Sequence, residues 1–266
     1  MTVPHPGDLT KLDTNQLTTQ LATRQPIQSA SFTAVDWSEL PAEDATFQDC
    51  LFEAAAFTNT LFSGARFQRC RFLRCRFSHT DLQQAAFEAC TFHARDQAAE
   101  GCTFLFAILH ATRFLRTDLS MALFDRSELF DITMDQCTLR GARFHKADFS
   151  HAYSRKVIAT RATFRACNFE LADLTGLRLP GCDLTGSRFR EADLTGADLT
   201  GTTLRDADLF QATLANAHLA NADLRGADIS GLALAALASH AGLKITQGQQ
   251  HILLEGLGID VHPEPG

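Results

Sequence analysis

A period of five residues runs through most of this chain. Large apolar side chains recur at every fifth position from Phe104 to Leu234, and 25 of those 27 positions hold Phe, Leu, Ile or Met. A second run at the same spacing extends from Phe47 to Phe92 and contains nine Phe and Leu82 in ten positions. A period of five matches neither the 3.6-residue turn of an α-helix nor the two-residue alternation of a strand. It is typical of a repeat architecture, in which each unit buries its apolar residue against the next.

Small residues precede the large residues by two positions. All eight cysteines of the chain occupy this position, and alanine fills it most often elsewhere. The pattern predicts a square coil with sides of five residues, in which the small and the large residue point inward and the other three face water. Four such sides make one turn, and successive turns stack about 4.8 Å apart through ladder hydrogen bonds. The thiols are therefore predicted to be buried and to pack like small apolar groups.

The regular spacing is interrupted between two of the apolar residues. The step from Phe92 to Phe104 is longer than two repeats by two positions. A stacked coil accepts extra residues only on its outside, and loops carried by rigid scaffolds are common binding sites. The alternative is an insertion without function. The predicted projecting loop consists of His93, Ala94, Arg95, Asp96, Gln97, Ala98, Ala99, Glu100 and Gly101.

The repeat resembles that of the pentapeptide-repeat family, whose motif is Ala-(Asp/Asn)-Leu-X-X. Ala192-Asp193-Leu194-Thr195-Gly196 is followed directly by Ala197-Asp198-Leu199-Thr200-Gly201. The resemblance implies an all-β fold, a right-handed quadrilateral β-helix with a short C-terminal helix cap. The predicted organisation is an N-terminal extension at 1–28, a rod at 29–92, the loop at 93–101, a second rod at 102–236 and a capping tail at 237–266.

Several segments resemble the Qnr-type quinolone-resistance proteins of that family. The loop is framed by Cys90-Thr91-Phe92 and Gly101-Cys102-Thr103-Phe104, and the run Asp118-Leu119-Ser120-Met121-Ala122 and the tail from Gly242 to Ile259 are also similar. In that group the loop contacts DNA gyrase and contributes to protection against quinolones. Qnr-type proteins also carry a second, larger loop. No change of spacing marks one here, because the irregular run from Tyr153 to Thr160 keeps the five-residue phase.

The chain is acidic, with a formal net charge of −7. This charge disfavours a general nucleic-acid binder, which needs cations to displace phosphate counterions. Aspartate recurs just before the large residue, where it is predicted to face water, and acids separated by four repeats should stack on one side of the coil. Such an acidic stripe on a stiff rod predicts a DNA mimic that is steered to a DNA-binding protein, and the alternative is a solvated face. The stripe comprises Asp173, Glu191, Asp193, Asp198, Asp206, Asp208, Asp223 and Asp228.

A basic cluster on the N-terminal rod is not explained by DNA mimicry. Two interpretations are open, since the cluster either binds an acidic partner or balances nearby Asp and Glu residues. It consists of Arg66, Arg69, Arg71, Arg74 and Arg76.

The segments that flank the repeat are predicted to cover the exposed backbone of the rod ends. Thr246 and Gln249 match a capping box, which predicts a short C-terminal helix. At the other end, 13–24 predicts a second short helix that ends before Pro26. In the family such tails pair two subunits, which implies a C2 homodimer, and the alternative is a monomeric cap. The predicted cap and dimer residues are Ile245, Ile252, Leu253, Leu257 and Ile259.

No motif of catalysis or metal binding stands out. The sequence holds no glycine-rich nucleotide loop, no Cys-X-X-Cys pair and no nucleophile elbow, so we predict neither enzymatic activity nor a cofactor or metal. Because no membrane span and no signal peptide are apparent, a cytoplasmic protein without membrane contact is expected. The resemblance implies a non-enzymatic protein that binds DNA gyrase, with topoisomerase IV as a second target, and protects it from quinolones or a related poison. The alternative is an interaction scaffold with an unrelated protein partner.

Overall fold

The coil expected from the five-residue period is present in the computed structural model, which describes residues 9–32, 35–38, 40–94, 100–260 and 262. Short parallel strands stack along four faces, and in uninterrupted parts of the rod each face receives every fourth repeat. We name faces 1 to 4 by four successive inward residues, Phe67, Phe72, Phe77 and Leu82. The predicted all-β quadrilateral β-helix is confirmed.

Three faces begin as regular sheets. Their strand orders are β17-β14-β12-β10-β7-β4-β2 on face 1, β1-β3-β5-β8 on face 2 and β13-β11-β9-β6 on face 3, and β15 pairs only with β16. The strands are β1 (Thr10–Lys11), β2 (Ile27–Gln28), β3 (Ala30–Phe32), β4 (Thr46–Gln48), β5 (Leu51–Glu53), β6 (Ala56–Thr58), β7 (Arg66–Gln68), β8 (Arg71–Leu73), β9 (Arg76–Ser78), β10 (Ala86–Glu88), β11 (Thr103–Leu105), β12 (Arg113–Leu115), β13 (Leu123–Asp125), β14 (Ile132–Asp135), β15 (Ser150–Ser154), β16 (Val157–Thr160) and β17 (Ala162–Arg165).

Beyond β17 the faces continue as single bridges between successive turns. On face 1 the bridges join Thr163, Asp183, Thr203, Asp223 and finally Lys244. The last step is one residue longer than the steps before it, and a 3-10 turn at Leu234–Ala236 lies within it. The rod therefore reaches Lys244, beyond the boundary at 236 that the repeat predicted.

The large residues of the repeat fill the interior as stacked rings. Phe72 lies fully buried between Phe52 and Phe92, with ring centroids 4.6 and 4.5 Å away and interplanar angles of 5° and 9°. Phe77 and Phe104 stack in the same way, at 4.7 Å, although the loop separates them along the chain. The stack is thus continuous past the interruption in the sequence.

The small residues serve a second purpose besides their size. The thiol of Cys70 donates to the main-chain oxygen of Phe47 at 3.4 Å, and the hydroxyl of Thr60 donates to that of Trp37 at 2.8 Å. Cys, Ser and Thr at this position therefore satisfy a carbonyl of the preceding turn while staying small. All eight cysteines are buried as free thiols, and burial raises the pKa of Cys182 to about 11.

The N-terminal end of the rod is covered by a helix, as predicted. α1 spans Thr14–Thr23, begins at a capping box formed by Asp13 and Gln16, and ends at Arg24. Its residue Leu17 is fully buried and belongs to the core.

A helical segment covers the C-terminal end and is fastened by one side chain. Thr246 and Gln249 form the predicted capping box at the 3-10 turn Gln247–Gln249, which leads into α2 (Gln250–Gly256). The amide nitrogen of Gln249 also donates to the oxygens of Leu224 and Ala227, at 2.8 and 2.7 Å. One side chain therefore both caps the segment and binds it to the last turn of the rod.

The C-terminal rod differs from the continuous coil predicted over 102–236. Strands β15 and β16 form an antiparallel hairpin that leaves the coil, so Met134 pairs with Phe164, which lies two repeats farther along the chain than a regular turn would place it. Because the insertion equals two whole repeats, the phase of the sequence is unchanged. This is why the spacing did not reveal the hairpin, although Ser154 and Ala159 are the two positions of the long run that lack a bulky residue.

We expect Phe72→Ala to lower the free energy of unfolding by about 3–5 kcal/mol, because it opens a cavity within the ring stack. Chemical denaturation followed by circular dichroism measures this change. Phe72→Leu is the matched control and should cost less, since Leu occupies equivalent positions farther along the rod. Equal stability of Phe72→Ala and the wild type would contradict the stacked interior.

Candidate partner-binding surfaces

The base of the predicted loop is an antiparallel bridge on the outside of the coil. His93 pairs with Gly101, and the N–H of Cys102 donates to the oxygen of Phe92 at 3.1 Å. Since successive inward residues are normally five apart, the longer step from Phe92 to Phe104 carries seven additional residues. Ala94 is buried and Glu100 exposed. The remaining predicted contact residues, Arg95, Asp96, Gln97, Ala98 and Ala99, lie outside the described residues.

Gly101 is required where the chain re-enters the coil. A Cβ atom at this position would lie 2.3 Å from the carbonyl carbon of Met121 and 2.6 Å from the nitrogen of Ala122. Both contacts are with the backbone of the next turn, which cannot move without disturbing the ladder. The glycine in the Gly-Cys-Thr-Phe segment is thus explained by close packing beside the loop.

The hairpin presents apolar and basic side chains. Tyr153, Val157 and Ile158 are 59%, 55% and 67% exposed, and Arg155 and Lys156 join the two strands at the tip. Exposed apolar groups on a projecting element are typical of a binding surface. The sequence did not assign these residues to any site.

Aromatic and ionic contacts hold the base of the hairpin against the rod. The ring of His151 lies 5.1 Å from that of Phe130, and the guanidinium of Arg161 lies over Phe130 at 5.5 Å. Arg161 also pairs with Asp131 at 3.3 Å.

The loop and the hairpin emerge from diagonally opposite corners of the rod. The loop connects face 2 at Phe92 to face 3 at Phe104, whereas the hairpin connects face 4 at Phe149 to face 1 at Phe164. Two turns separate Phe92 from the turn that contains Phe149, or about 10 Å along the axis. A partner that touches both projections must therefore reach around the rod.

The acidic residues lie on several faces rather than along one stripe. Asp173 and Asp193 stack on face 3, and Asp208 and Asp228 stack on face 2, as their spacing predicted. Asp198, however, lies on face 4 and Asp223 on face 1. The single acidic face predicted from the sequence is wrong, because neighbouring repeats occupy different sides of a square coil.

Arginines neutralise part of the acidic charge. Asp223 is nearly buried and pairs with both Arg205 and Arg225, each at 2.7 Å. Asp208 pairs with Arg190. In the part of the chain that the structure describes, Asp173 and Asp193 form no ion pair. On face 3, two stacked aspartates therefore carry charges without an ion pair to any described residue, although Arg143 lies in register one turn below Asp173.

The outward aspartates also stabilise the corners. The carboxylate of Asp193 accepts the N–H of Thr195 at 2.9 Å, and that of Asp228 accepts the N–H of Ser230 at 3.0 Å. Hydrogen bonds from the hydroxyl and N–H of these partners lower the pKa of Asp193 and of Asp228. Aspartate at this position thus has a structural role that is independent of any partner.

Two members of the basic cluster balance neighbouring acids. Arg69 forms a bidentate pair with Asp49, at 2.7 and 2.6 Å, and Arg74 pairs with Glu53. No ion pair involves Arg66, Arg71 or Arg76 within the described segments. The cluster is therefore partly compensated and partly available to solvent.

The predicted cap and dimer residues divide into two groups. Leu253 is buried, and Ile245 and Ile252 pack against the core. Leu257 and Ile259 are 49% and 47% exposed. The first group covers the end of the rod, and the second forms an apolar surface beyond it.

The described residues contain neither a metal-binding cluster nor a membrane-spanning helix. No group of three or more His, Cys, Asp or Glu side chains is arranged to hold a metal ion there. No described helix is long and apolar enough to cross a membrane.

Comparison with known proteins agrees with the repeat and the fold. The family model described as pentapeptide repeats matches residues 167–206 and 204–235, in eight copies. A second model, the SV2A/B/C luminal domain, matches residues 14–97. No curated protein matches the chain. The chain is built of pentapeptide repeats, over a longer stretch than the family model covers.

Solved structures of QnrB1, a plasmid-mediated fluoroquinolone resistance protein, are similar to this chain. A trypsin-treated variant is 27% identical, with a TM-score of 0.70, over 79% of this chain and 99% of that chain. The full-length protein is 27% identical, with a TM-score of 0.64, over 79% of this chain and 97% of that one. HetL, a pentapeptide repeat protein from the cyanobacterium Nostoc, is 20% identical, with a TM-score of 0.38, over 88% of this chain and 94% of that chain.

We expect Thr195→Val to raise the pKa of Asp193, because it removes the hydroxyl that stabilises the carboxylate. Titration of the side-chain carboxyl carbon by NMR measures the pKa in both proteins. A lowered pKa in the folded state favours folding above the unfolded pKa, about 3.9, and this contribution disappears as the pH falls through the folded value. Thr213→Val, one turn along face 3, should leave the pKa of Asp193 unchanged. An unshifted value in Thr195→Val would contradict the assigned cause.

Proposed function

We propose that this chain is a non-enzymatic protein that binds DNA gyrase and protects it from quinolones or a related gyrase poison. The observation that carries the proposal is the similarity to QnrB1 over nearly the whole length of that fluoroquinolone resistance protein. The Qnr-like segments that frame the loop support it. Topoisomerase IV is a second target of the same kind, since it is also a type II topoisomerase.

The rod supplies a stiff acidic body for this interaction. Asp173 and Asp193 on face 3 repeat their charge from one turn to the next and have no ion pair with any described residue. A protein surface that holds DNA with Lys and Arg attracts such a row and docks it faster at low salt. Direct binding of nucleic acid is not expected, because the chain carries a formal net charge of −7 and phosphate binding needs cations.

The two projections supply specificity. The 93–101 loop would enter the cleavage region of the enzyme and disfavour the drug-stabilised cleaved complex. Like the second, larger loop of Qnr-type proteins, the hairpin formed by β15 and β16 is a second element that projects from the rod. Its exposed Tyr153, Val157 and Ile158 would contact a separate part of the enzyme, because the hairpin leaves the opposite corner of the rod.

A scaffold that binds an unrelated protein is the second candidate. It is favoured by the structural role of the corner aspartates, which need no DNA-binding partner, and by the unpaired Arg66, Arg71 and Arg76 among the described residues. A pull-down from lysate separates the two functions, since gyrase subunits should dominate the captured proteins only under the first.

We expect the purified protein to restore supercoiling by gyrase in the presence of ciprofloxacin at equimolar or moderate excess. Deletion of Ala94 to Glu100 should abolish this rescue while the β-sheet signal in circular dichroism is retained. The seven-residue deletion returns Phe92 and Phe104 to the regular five-residue spacing, so the coil can close. Absence of rescue by the intact protein would contradict the proposed function.

A matched deletion tests whether the hairpin acts separately from the loop. Removal of His151 to Thr160 takes out two whole repeats and joins Ser150 to Arg161, which also restores the five-residue spacing. We expect weaker rescue than with the intact protein, because one of two contacts is lost. Full rescue by this variant would show that the hairpin is not needed for the interaction, and full rescue by the loop deletion would show the same for the loop.

We also propose a homodimer formed through the C-terminal tail, because Leu257 and Ile259 are exposed although the helical segment covers the end of the rod. Light scattering after gel filtration should give a dimer for the wild type and a monomer for Leu257→Glu/Ile259→Glu. Val157→Glu, a similar change on the hairpin, is the control and should remain dimeric. A monomeric wild type would exclude this interface.

A further inference from the structure

The ladder between two successive turns is open on one face. The turn that ends at Phe149 and the turn that starts at Phe164 pair on face 1 through Met134 and Phe164, on face 2 through Thr138 and Asn168, and on face 3 through Arg143 and Asp173. On face 4, Asp148 and Arg178 are the corresponding residues, and no bridge joins them. The hairpin leaves the coil at this point and separates the two turns.

Main-chain donors are left without partners along the opening. The main-chain N–H groups of Lys146, Phe149 and Arg178 donate to no acceptor among the described residues. One turn later the equivalent groups are all bonded. The N–H groups of Gly176, Leu179 and Asp198 donate to the main-chain oxygens of Thr195, Asp198 and Leu177 respectively, each at 2.8 Å. Three donors, and the main-chain oxygens of Ala147, Thr175 and Arg178, are therefore without main-chain partners in the described chain, along face 4 and its corner with face 3.

The opening is a crevice of about 760 Å³, a volume in the range of small-molecule sites. Phe149 and Leu177 line its inner wall but are almost fully buried in the core, so little of their apolar surface faces the crevice. Ile158 of the hairpin forms part of the outer wall. The accessible apolar surface of the crevice is therefore supplied by Ile158, which is 67% exposed, and by the half-buried Pro180.

The charges at the rim favour an anion. Lys146 and Arg178 line the crevice and form no ion pair with described residues. Asp148 is also present, but its Oδ1 accepts the N–H and hydroxyl of Ser150 at 2.9 and 2.7 Å. His145 lies against Asp125, with Nδ1 and Oδ1 2.8 Å apart. Two cations without an ion pair among the described residues thus line the crevice together with one aspartate, so the local charge is positive in a protein that is acidic overall.

We infer that this crevice binds a small organic anion with an apolar body. The anionic group, a carboxylate or sulfonate, accepts hydrogen bonds from the N–H groups of Phe149 and Arg178 and pairs with the side chains of Lys146 and Arg178. The apolar body lies against Ile158 and Pro180. The site lies apart from the 93–101 loop and shares Ile158 with the hairpin surface, but its binding does not depend on the proposed function.

Fluorescence titration with 1-anilinonaphthalene-8-sulfonate tests the site directly. We expect saturable binding of one probe per chain, and binding weaker by about tenfold or more to Lys146→Ala/Arg178→Ala, because charged hydrogen bonds are lost. N-phenyl-1-naphthylamine has the same rings without the sulfonate and should bind weakly to both proteins. Arg143→Ala is the control, since Arg143 lies in the same turn on a face whose ladder is closed.

Amide hydrogen exchange provides a readout that non-specific dye binding would not produce. The N–H groups of Lys146, Phe149 and Arg178 should exchange fast in the free protein, and those of Phe149 and Arg178 should become protected when the sulfonate probe is bound. Equal affinity for the charged and the neutral probe would overturn the inference. So would unchanged binding to the double variant, or protection confined to residues outside the crevice.

Discussion

Each turn of this chain is held by the turn beneath it through main-chain hydrogen bonds, and this requires every turn to have the same cross-section. The interior must therefore receive one large and one small side chain from each side of the square. Phe72 between Phe52 and Phe92 shows the large position, and Cys70, whose thiol bonds to Phe47, shows the small one. Because both come from the repeat itself, a short motif is sufficient to specify a long rod.

The same constraint explains where projecting elements arise. Extra residues cannot enter a filled interior, so they leave at the corners, and the rod closes again behind them. The insertions at the loop and at the hairpin are both accommodated in this way, and the ring stack continues from Phe77 to Phe104 past the first of them. Closure is complete at the loop and incomplete at the hairpin, where Asp148 and Arg178 stay apart.

The sequence predicted the coil, its buried thiols and both terminal caps, since these depend on spacing and local capping. Gln249 illustrates this, because its capping box was apparent while its bonds to Leu224 and Ala227 required the folded rod. The hairpin was missed because an insertion of two whole repeats preserves a period of five. The acidic stripe was wrong in its arrangement, because adjacent repeats turn through a corner. Arginines also neutralise part of it: Arg190 and Arg205 reach Asp208 and Asp223 from the preceding turn, and Arg225 pairs with Asp223 within the same turn.

We propose that the rod occupies the DNA-binding surface of gyrase. Fluorescence anisotropy of a labelled DNA duplex bound to gyrase, titrated with this protein in the absence of drug, measures this most directly. The account predicts that the protein displaces the duplex, and that displacement weakens as the salt concentration rises. A duplex that stays bound while the protein associates with gyrase elsewhere, or does not associate at all, would contradict it.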